Sequence, residues 1–372
     1  MIKSKKALAF GVVAVLGLAA CGSDDDSSSG DGDSADGDGL VTCLVTDLAG
    51  IDDKSFNATA WQGVLDAIDA GDAAPEPDSF YLESDVEADW QPNIDQMISQ
   101  GCEHIVTVGF ALDAVTQENA PANPDITWTI VDVDFFDFDA GEDITFENVQ
   151  ELTYQTDEAA FLAGYVAASV TETGVVGTFG GANFPTVSIF MDGLYYGVQH
   201  YNEVKGTDVQ VLGWDPANPD TGLFTGDFTD LDIARSTAQS LLDEGADIIM
   251  PVGGQINLGA GAAMQDMGMG ASGDTFGAMI GVDTDAFVSA PEYADLWLTS
   301  VEKKMALGVS ESIKAAKDGS FEGGVSRGFL NNGGVDISEF HDFDGIVSDE
   351  TKAEVEALRE EIIAGNQSVS GS

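Results

Sequence analysis

From residue 41 onward the chain alternates short apolar runs with longer stretches whose apolar residues recur at helical spacing. The runs at 41–46, 79–82, 104–108 and 127–133 read as strands, and the stretches at 55–69, 90–100 and 113–120 between them read as helices. A small-residue helix over 157–170 follows, and the pattern then restarts. Strands are expected at 175–180, 209–214, 247–252 and 278–282, with helices at 186–201, 231–244 and 259–267 among them. A strand at 297–300, a helix at 303–317 and a Glu-rich helix at 351–364 close the chain. This alternation predicts an α/β fold, because parallel strands need crossover helices that cover both faces of their sheet. Two successive units of similar design, without detectable sequence repetition, predict two doubly wound parallel-sheet lobes with a ligand cleft between them. The expected boundaries place 41–152 and about 284–328 in an N-terminal lobe, 153–283 and about 329–364 in a C-terminal lobe, and 365–372 in a flexible tail.

In open parallel sheets, ligands bind beyond the carboxyl ends of the strands. The residues at those ends are Asp47, Gly109-Phe110, Asp132, Gly180-Gly181, Asp215, Gly253-Gly254 and Asp283.

The first twenty residues differ in kind. Lys3, Lys5 and Lys6 precede an apolar run at 7–18, too short for a stable membrane span, and then comes Leu18-Ala19-Ala20-Cys21. This fits a bacterial lipoprotein signal over 1–20, with Cys21 acylated and the chain lipid-anchored on the extracellular face of the cell membrane. An ordinary signal peptide with an incidental cysteine is the alternative. Residues 22–39 are almost entirely Asp, Ser, Gly and Ala, with too little to bury, so 21–40 is expected to be a disordered tether. Its root-mean-square reach is roughly 23 Å.

Charge and cysteines narrow the partners. The formal net charge is −53, and loss of the three signal lysines makes it −56. Such a surface repels nucleic acid, so no nucleic-acid partner is expected. Cys43 and Cys102 each sit beside an apolar strand run, which makes them a disulfide candidate in an exported protein, with two buried thiols as the alternative. Two cysteines and the scattered His104, His200 and His341 do not compose a zinc site, and neither metal nor cofactor is expected.

The first strand runs into Asp47-Leu48-Ala49-Gly50-Ile51-Asp52-Asp53-Lys54-Ser55-Phe56-Asn57. This loop sets free backbone N–H groups, an amide and an aromatic face at a strand's carboxyl end. The plainer reading is a helix capped by Asp53 or Ser55, with Phe56 in the core. The run Thr46-Asp47, Gly50 to Asn57, Ala60-Trp61 and Gly63 resembles the opening motif of the basic membrane protein family. The family comprises lipoproteins of the purine-nucleoside-receptor type that serve ABC importers. The resemblance continues through Phe161-Leu162-Ala163-Gly164-Tyr165, Val176 to Gly181 with Pro185, Phe228-Thr229-Asp230, Gly245 to Ile249, Gly253-Gly254, Ile280 to Asp285 and Leu298 to Lys303. It covers roughly 41–315.

The resemblance implies a type I periplasmic-binding-protein fold, two lobes joined by three crossings that close on a nucleoside, in a monomer partnered by an ABC permease. It further implies that Phe56 and Phe228 sandwich the base, while Asn57 and Asp113 read its edge. An Asp acceptor would select bases with N–H donors, guanosine and inosine among nucleosides. Asp283, helped by Asp47, would hold the ribose hydroxyls with Lys303, and Ser55, Gly253 and Gly254 would complete the site. Phe224 competes with Phe228, Asp132 with Asp113, and Lys304 with Lys303. The chain departs from the family pattern at 216–226, at Gln255 and Asn257, and at 268–274, which leaves a sugar or another small metabolite as the alternative ligand; a sensor or surface adhesin on the same scaffold is a further alternative, since sensing and transport both use lobe closure.

An enzyme is not expected. No Ser/His/Asp order, CxxC pair or phosphate loop appears, and pairs such as Asp52-Asp53 arise by chance among 66 acidic residues.

Overall fold

The computed structural model describes residues 39–137 and 140–370. The signal segment, Cys21 and the tether up to residue 38 lie outside them. Leu40 already belongs to the folded body, one residue earlier than expected: its N–H donates to Asp72 O, and its carbonyl accepts from Ala74 N.

The first sheet contains β1 (Thr42–Thr46), β2 (Phe80–Leu82), β3 (His104–Val108) and β4 (Thr127–Val131). A small hairpin, β5 (Phe136–Asp137) with β6 (Glu142–Asp143), precedes β7 (Val149–Tyr154). The second sheet contains β8 (Val175–Gly180), β9 (Gln210–Leu212), β10 (Ile248–Val252), β11 (Ala278–Asp283) and β12 (Trp297–Lys303). Near the end, β13 (Gly324–Gly328) returns to the first sheet and β14 (Val335–Ile337) to the second. The orders are β13-β7-β4-β3-β1-β2 and β14-β12-β11-β10-β8-β9. Every pairing in these two sheets is parallel except that of β14 with β12.

Two features correct the sequence reading. The second crossing falls after Lys303 and not at 284, because β12 pairs with β11 and so stays in the second sheet. Residues 284–303 therefore belong to the C-terminal lobe. The strands β7, β13 and β14 were not legible as apolar runs. β7 carries Gln150 and Glu151, β13 is an exposed edge strand of sequence GVSRG, and β14 has only three residues.

Helices cover both faces of each sheet. They are α1 (Phe56–Ala70), α2 (Trp90–Gln100), α3 (Asp113–Ala122), α4 (Thr156–Val170), α5 (Pro185–Lys205), α6 (Leu231–Asp243), α7 (Ile256–Asp266), the single turn α8 (Ala286–Ser289), α9 (Met305–Lys317) and α10 (Asp349–Ile363). Strand alternation feeds two cores per sheet: Cys43 and Val45 face one layer and Leu44 the other. Cys43 and Cys102 are joined as a disulfide within the first of these layers. The small-residue helix α4 is buried almost all round, and α5 lies tightly against it. A Cβ at Gly164 would stand 2.3 Å from Leu194 O, and one at Gly197 would stand 2.1 Å from Phe161 O, so both positions require glycine for this approach. No helix among the described residues is long and apolar enough to cross a membrane.

One core group is anomalous. Glu151 is fully buried in β7; its Oε2 accepts from Phe135 N at 2.7 Å, while Oε1 has no partner. Burial, reinforced by Asp134, Asp113 and Asp143, pushes its carboxyl up to about 7. A raised acid gives stability that is complete below its ordinary range and is lost as pH rises through about 7. Glu151→Gln is therefore expected to match the native melting temperature in acid and to exceed it by several degrees at about pH 8.5, an advantage that builds up to about pH 7 and then levels off. Thermal melts across pH check this.

Candidate functional site

The two sheets present matching strand ends to the cleft. The third strand of each order, β4 or β11, delivers an aspartate in left-handed backbone: Asp132 at φ 62° and Asp283 at φ 70°. The fourth, β3 or β10, delivers a glycine at positive φ: Gly109 at 110° and Gly253 at 144°. Aspartate is among the few residues with a side chain that enter this region readily, so both turns are accessible at modest cost.

Asp132 comes from the first lobe and Asp283 from the second, and Lys303, at the second crossing, joins them. Its Nζ lies 2.5 Å from Asp132 Oδ2 and 3.2 Å from Asp283 Oδ1, with all three side chains almost wholly buried. Burial alone would pull the ammonium down, but Asp132 and Asp283 outweigh it and hold Lys303 above its ordinary range, firmly charged. The rings of Phe56 and Phe190 flank the same ammonium at 5.0 and 4.9 Å from their centroids. Ser55, from the first lobe, shares its one O–H across the gap between Asp283 Oδ2 at 2.8 Å and Val282 O at 3.0 Å. Lys54 reaches Glu292 of the second lobe at 2.5 Å. The lobes thus stand in contact.

The loop after β1 builds the opposite wall. Asp53 caps α1: its Oδ1 accepts from Ser55 N and Ala58 N, and its Oδ2 accepts from Asn57 N. Asn57 Nδ2 donates to Asp47 Oδ1 at 3.2 Å and to Ala49 O at 3.1 Å. Those two acceptors fix the amide's orientation and leave its Oδ1 buried with no protein partner. Asp47 has no cation beside it, and burial pushes its carboxyl up to about 6 despite the Asn57 and Ala49 hydrogen bonds.

Asp47, Phe56, Asn57, Asp132, Asp283 and Lys303 all line one cavity, with Phe228, Gly253 and Gly254. It holds about 540 Å³ of empty space, counting the part open to solvent. Phe228 lies against Phe184 at 6.1 Å, which lies against Phe110 at 5.4 Å, so an aromatic row runs along the cleft and crosses from one lobe to the other. Phe228 fits only because Gly181 and Gly253 have no side chain: a Cβ would stand 2.3 or 2.6 Å from its ring.

Two expected residues stand apart. Ser55 lies behind the cavity and positions Asp283 rather than lining the wall. Asp113 opens α3 one short turn beyond Gly109 and lines a neighbouring chamber, where its carboxylate accepts from Gln117. Of the competitors, Asp132 lines the cavity, Lys304 turns to Glu302 instead, and Phe224 packs on Trp214. Sequence reasoning missed Phe184 and Phe190. Their signal was the loop after Gly181 and the first turns of the helix beginning at Pro185, the same strand-end position that pointed to Phe110. No group of three or more side chains suited to a metal occurs among the described residues.

Removing Lys303 would leave two buried carboxylates facing each other. Lys303→Met is expected to cost about 3–5 kcal/mol at neutral pH, with part of the loss recovered in acid as Asp132, whose carboxyl burial already pushes up, takes up a proton. Urea unfolding at the two pH values checks this.

The chain resembles known proteins along nearly its whole length. The family described as ABC transporter substrate-binding protein PnrA-like, or Bmp, matches residues 40–372. A protein of Listeria monocytogenes named CD4+ T-cell-stimulating antigen is 29% identical over 98% of each chain. The ABC transporter nucleoside-binding protein BmpA of Lactococcus lactis is 27% identical over 89% of each. Among solved structures, an ABC transporter solute-binding protein of Aeropyrum pernix superposes with a TM-score of 0.72 at 22% identity, covering 88% of this chain and 92% of that one. That likeness establishes the fold, two parallel-sheet lobes of the type I periplasmic-binding kind. The chain belongs to the Bmp family of ABC transporter substrate-binding proteins, which are binding components rather than enzymes and work outside the cell membrane with a small-molecule ligand and an ABC permease.

Proposed function

We propose that the chain captures a purine nucleoside, guanosine or inosine first, and delivers it to its permease as a monomer held to the outer face of the membrane by acylated Cys21. The observation that carries the nucleoside reading is the cavity's division of chemistry. Aromatic faces at Phe56 and Phe228 suit a flat base, and the unpartnered Asn57 Oδ1 beside Asp47 asks for a ligand N–H donor. On the other side, Asp132 and Asp283 retain acceptor capacity for vicinal hydroxyls, with Lys303 neutralising part of their charge. The name of the similar Lactococcus lactis protein supports the same ligand class. Asp113 has a lesser part in this reading than Asp47, since it lines the neighbouring chamber.

Closure follows from the same geometry. Asn57 and Asp132 belong to one lobe, while Phe228 and Asp283 belong to the other, so a ligand meets the full set only between closed lobes.

Calorimetric titration of the compact unit 37–372 tests the reading. Guanosine and inosine are expected to bind saturably, with Phe228→Ala weakening them roughly five- to a hundredfold, the worth of one base–aromatic stack. Asn57→Leu is expected to weaken inosine more than ribose. Binding of a sugar with no binding of any nucleoside would show that the aromatic sandwich is wrongly assigned, while leaving the family role intact.

A further inference from the structure

A second, smaller gap between the lobes lies behind the ligand cavity. Asp53, Lys54 and Ser55 wall it on the first lobe, and Gly254, Asn257 and Trp297 wall it on the second. On the measure that gives the ligand cavity 540 Å³ it holds about 230 Å³, again counting the part open to solvent. Asn257, the second residue of α7, is 6% exposed, and its Oδ1 has no hydrogen-bond partner in the protein. A buried acceptor left in that condition carries its whole desolvation penalty. Across the gap stands the Asp53 carboxylate, 2% exposed, whose Oδ2 accepts only the Asn57 N–H and so keeps a free lone pair. The Lys54 ammonium on the same wall is already held by Glu292 and disfavours a metal cation in the gap. Both residues wall this gap, and what satisfies two acceptors at once is a molecule with two hydrogens to donate.

We infer that one water molecule bridges Asn257 Oδ1 of the second lobe to the Asp53 carboxylate of the first. The bridge ties the start of α7 to the start of α1, because Asp53 also holds the N–H groups of Ser55, Asn57 and Ala58. It thereby braces the turn that presents Phe56 and Asn57 to the cleft, and it does so whatever the ligand is. It also gives a purpose to an asparagine that departs from the expected small residue.

Magnetic relaxation dispersion of the water signal tests this on the protein without ligand. The native chain is expected to hold one more long-lived water than Asn257→Leu, a side chain of similar size with no acceptor, the two showing the same circular dichroism. Equal numbers of long-lived waters overturn the inference. A high-resolution crystal structure of the closed form is expected to show a single water within hydrogen-bond reach of both Asn257 and Asp53. It overturns the inference if the Asn257 amide is turned to donate directly to Asp53, or if the peak has the short contacts of a metal ion.

Discussion

The buried ammonium of Lys303 is the interaction on which the rest of the cleft depends. Two carboxylates from different lobes converge on one point, and each alone would be costly to bury. The lysine makes the convergence tolerable, and its place at the second crossing lets it serve both lobes. Phe56 and Phe190 close over it and keep water from diluting the attraction. Because two acids share one base, the clasp retains net negative character and unused acceptor lone pairs.

The opposite wall works by a different principle. Asp53 spends its carboxylate on the start of α1, and this fixes Asn57 so that its amide nitrogen serves Asp47 and Ala49. The orphaned Asn57 oxygen is a consequence of that chain of fixed bonds. Asp47, without a cation, is pushed up to about 6 and still carries charge at neutral pH, so the wall accepts hydrogen bonds far more readily than it donates them. The same acceptor-rich character recurs behind the cavity, where Asn257 and Asp53 wall one gap.

The matching strand ends show that the two lobes are built alike even where their sequences do not repeat. Aspartate after the third strand and glycine after the fourth recur because these turns face one shared cleft. A left-handed turn accepts few residue types, so this likeness persists where the surrounding residues differ. It became visible only once the strand orders were known, since nothing in the linear sequence aligns Asp132 with Asp283.

Periodicity and turn residues in the sequence determined the α/β class, most strands and helices, and the strand-end positions from which a cleft had to be built. Local motifs marked Asp47, Phe56, Asn57, Gly253 and Asp283, and the family resemblance added Phe228 and Lys303; all of them line one cavity. Local signals work there because a strand end or a helix cap is decided within a few residues. The tertiary structure alone decided what depends on residues far apart. β12 stays in the second sheet because it pairs with β11, and short β13 and β14 form only because a neighbouring strand offers its edge. Ser55 turns to Asp283 and Asp113 to its own helix because hydrogen-bond partners are chosen by space, not by order along the chain. Which of two adjacent lysines enters the core was settled in the same way: Lys303 ends a strand pointing at two buried carboxylates, and Lys304, one residue on, points to the surface.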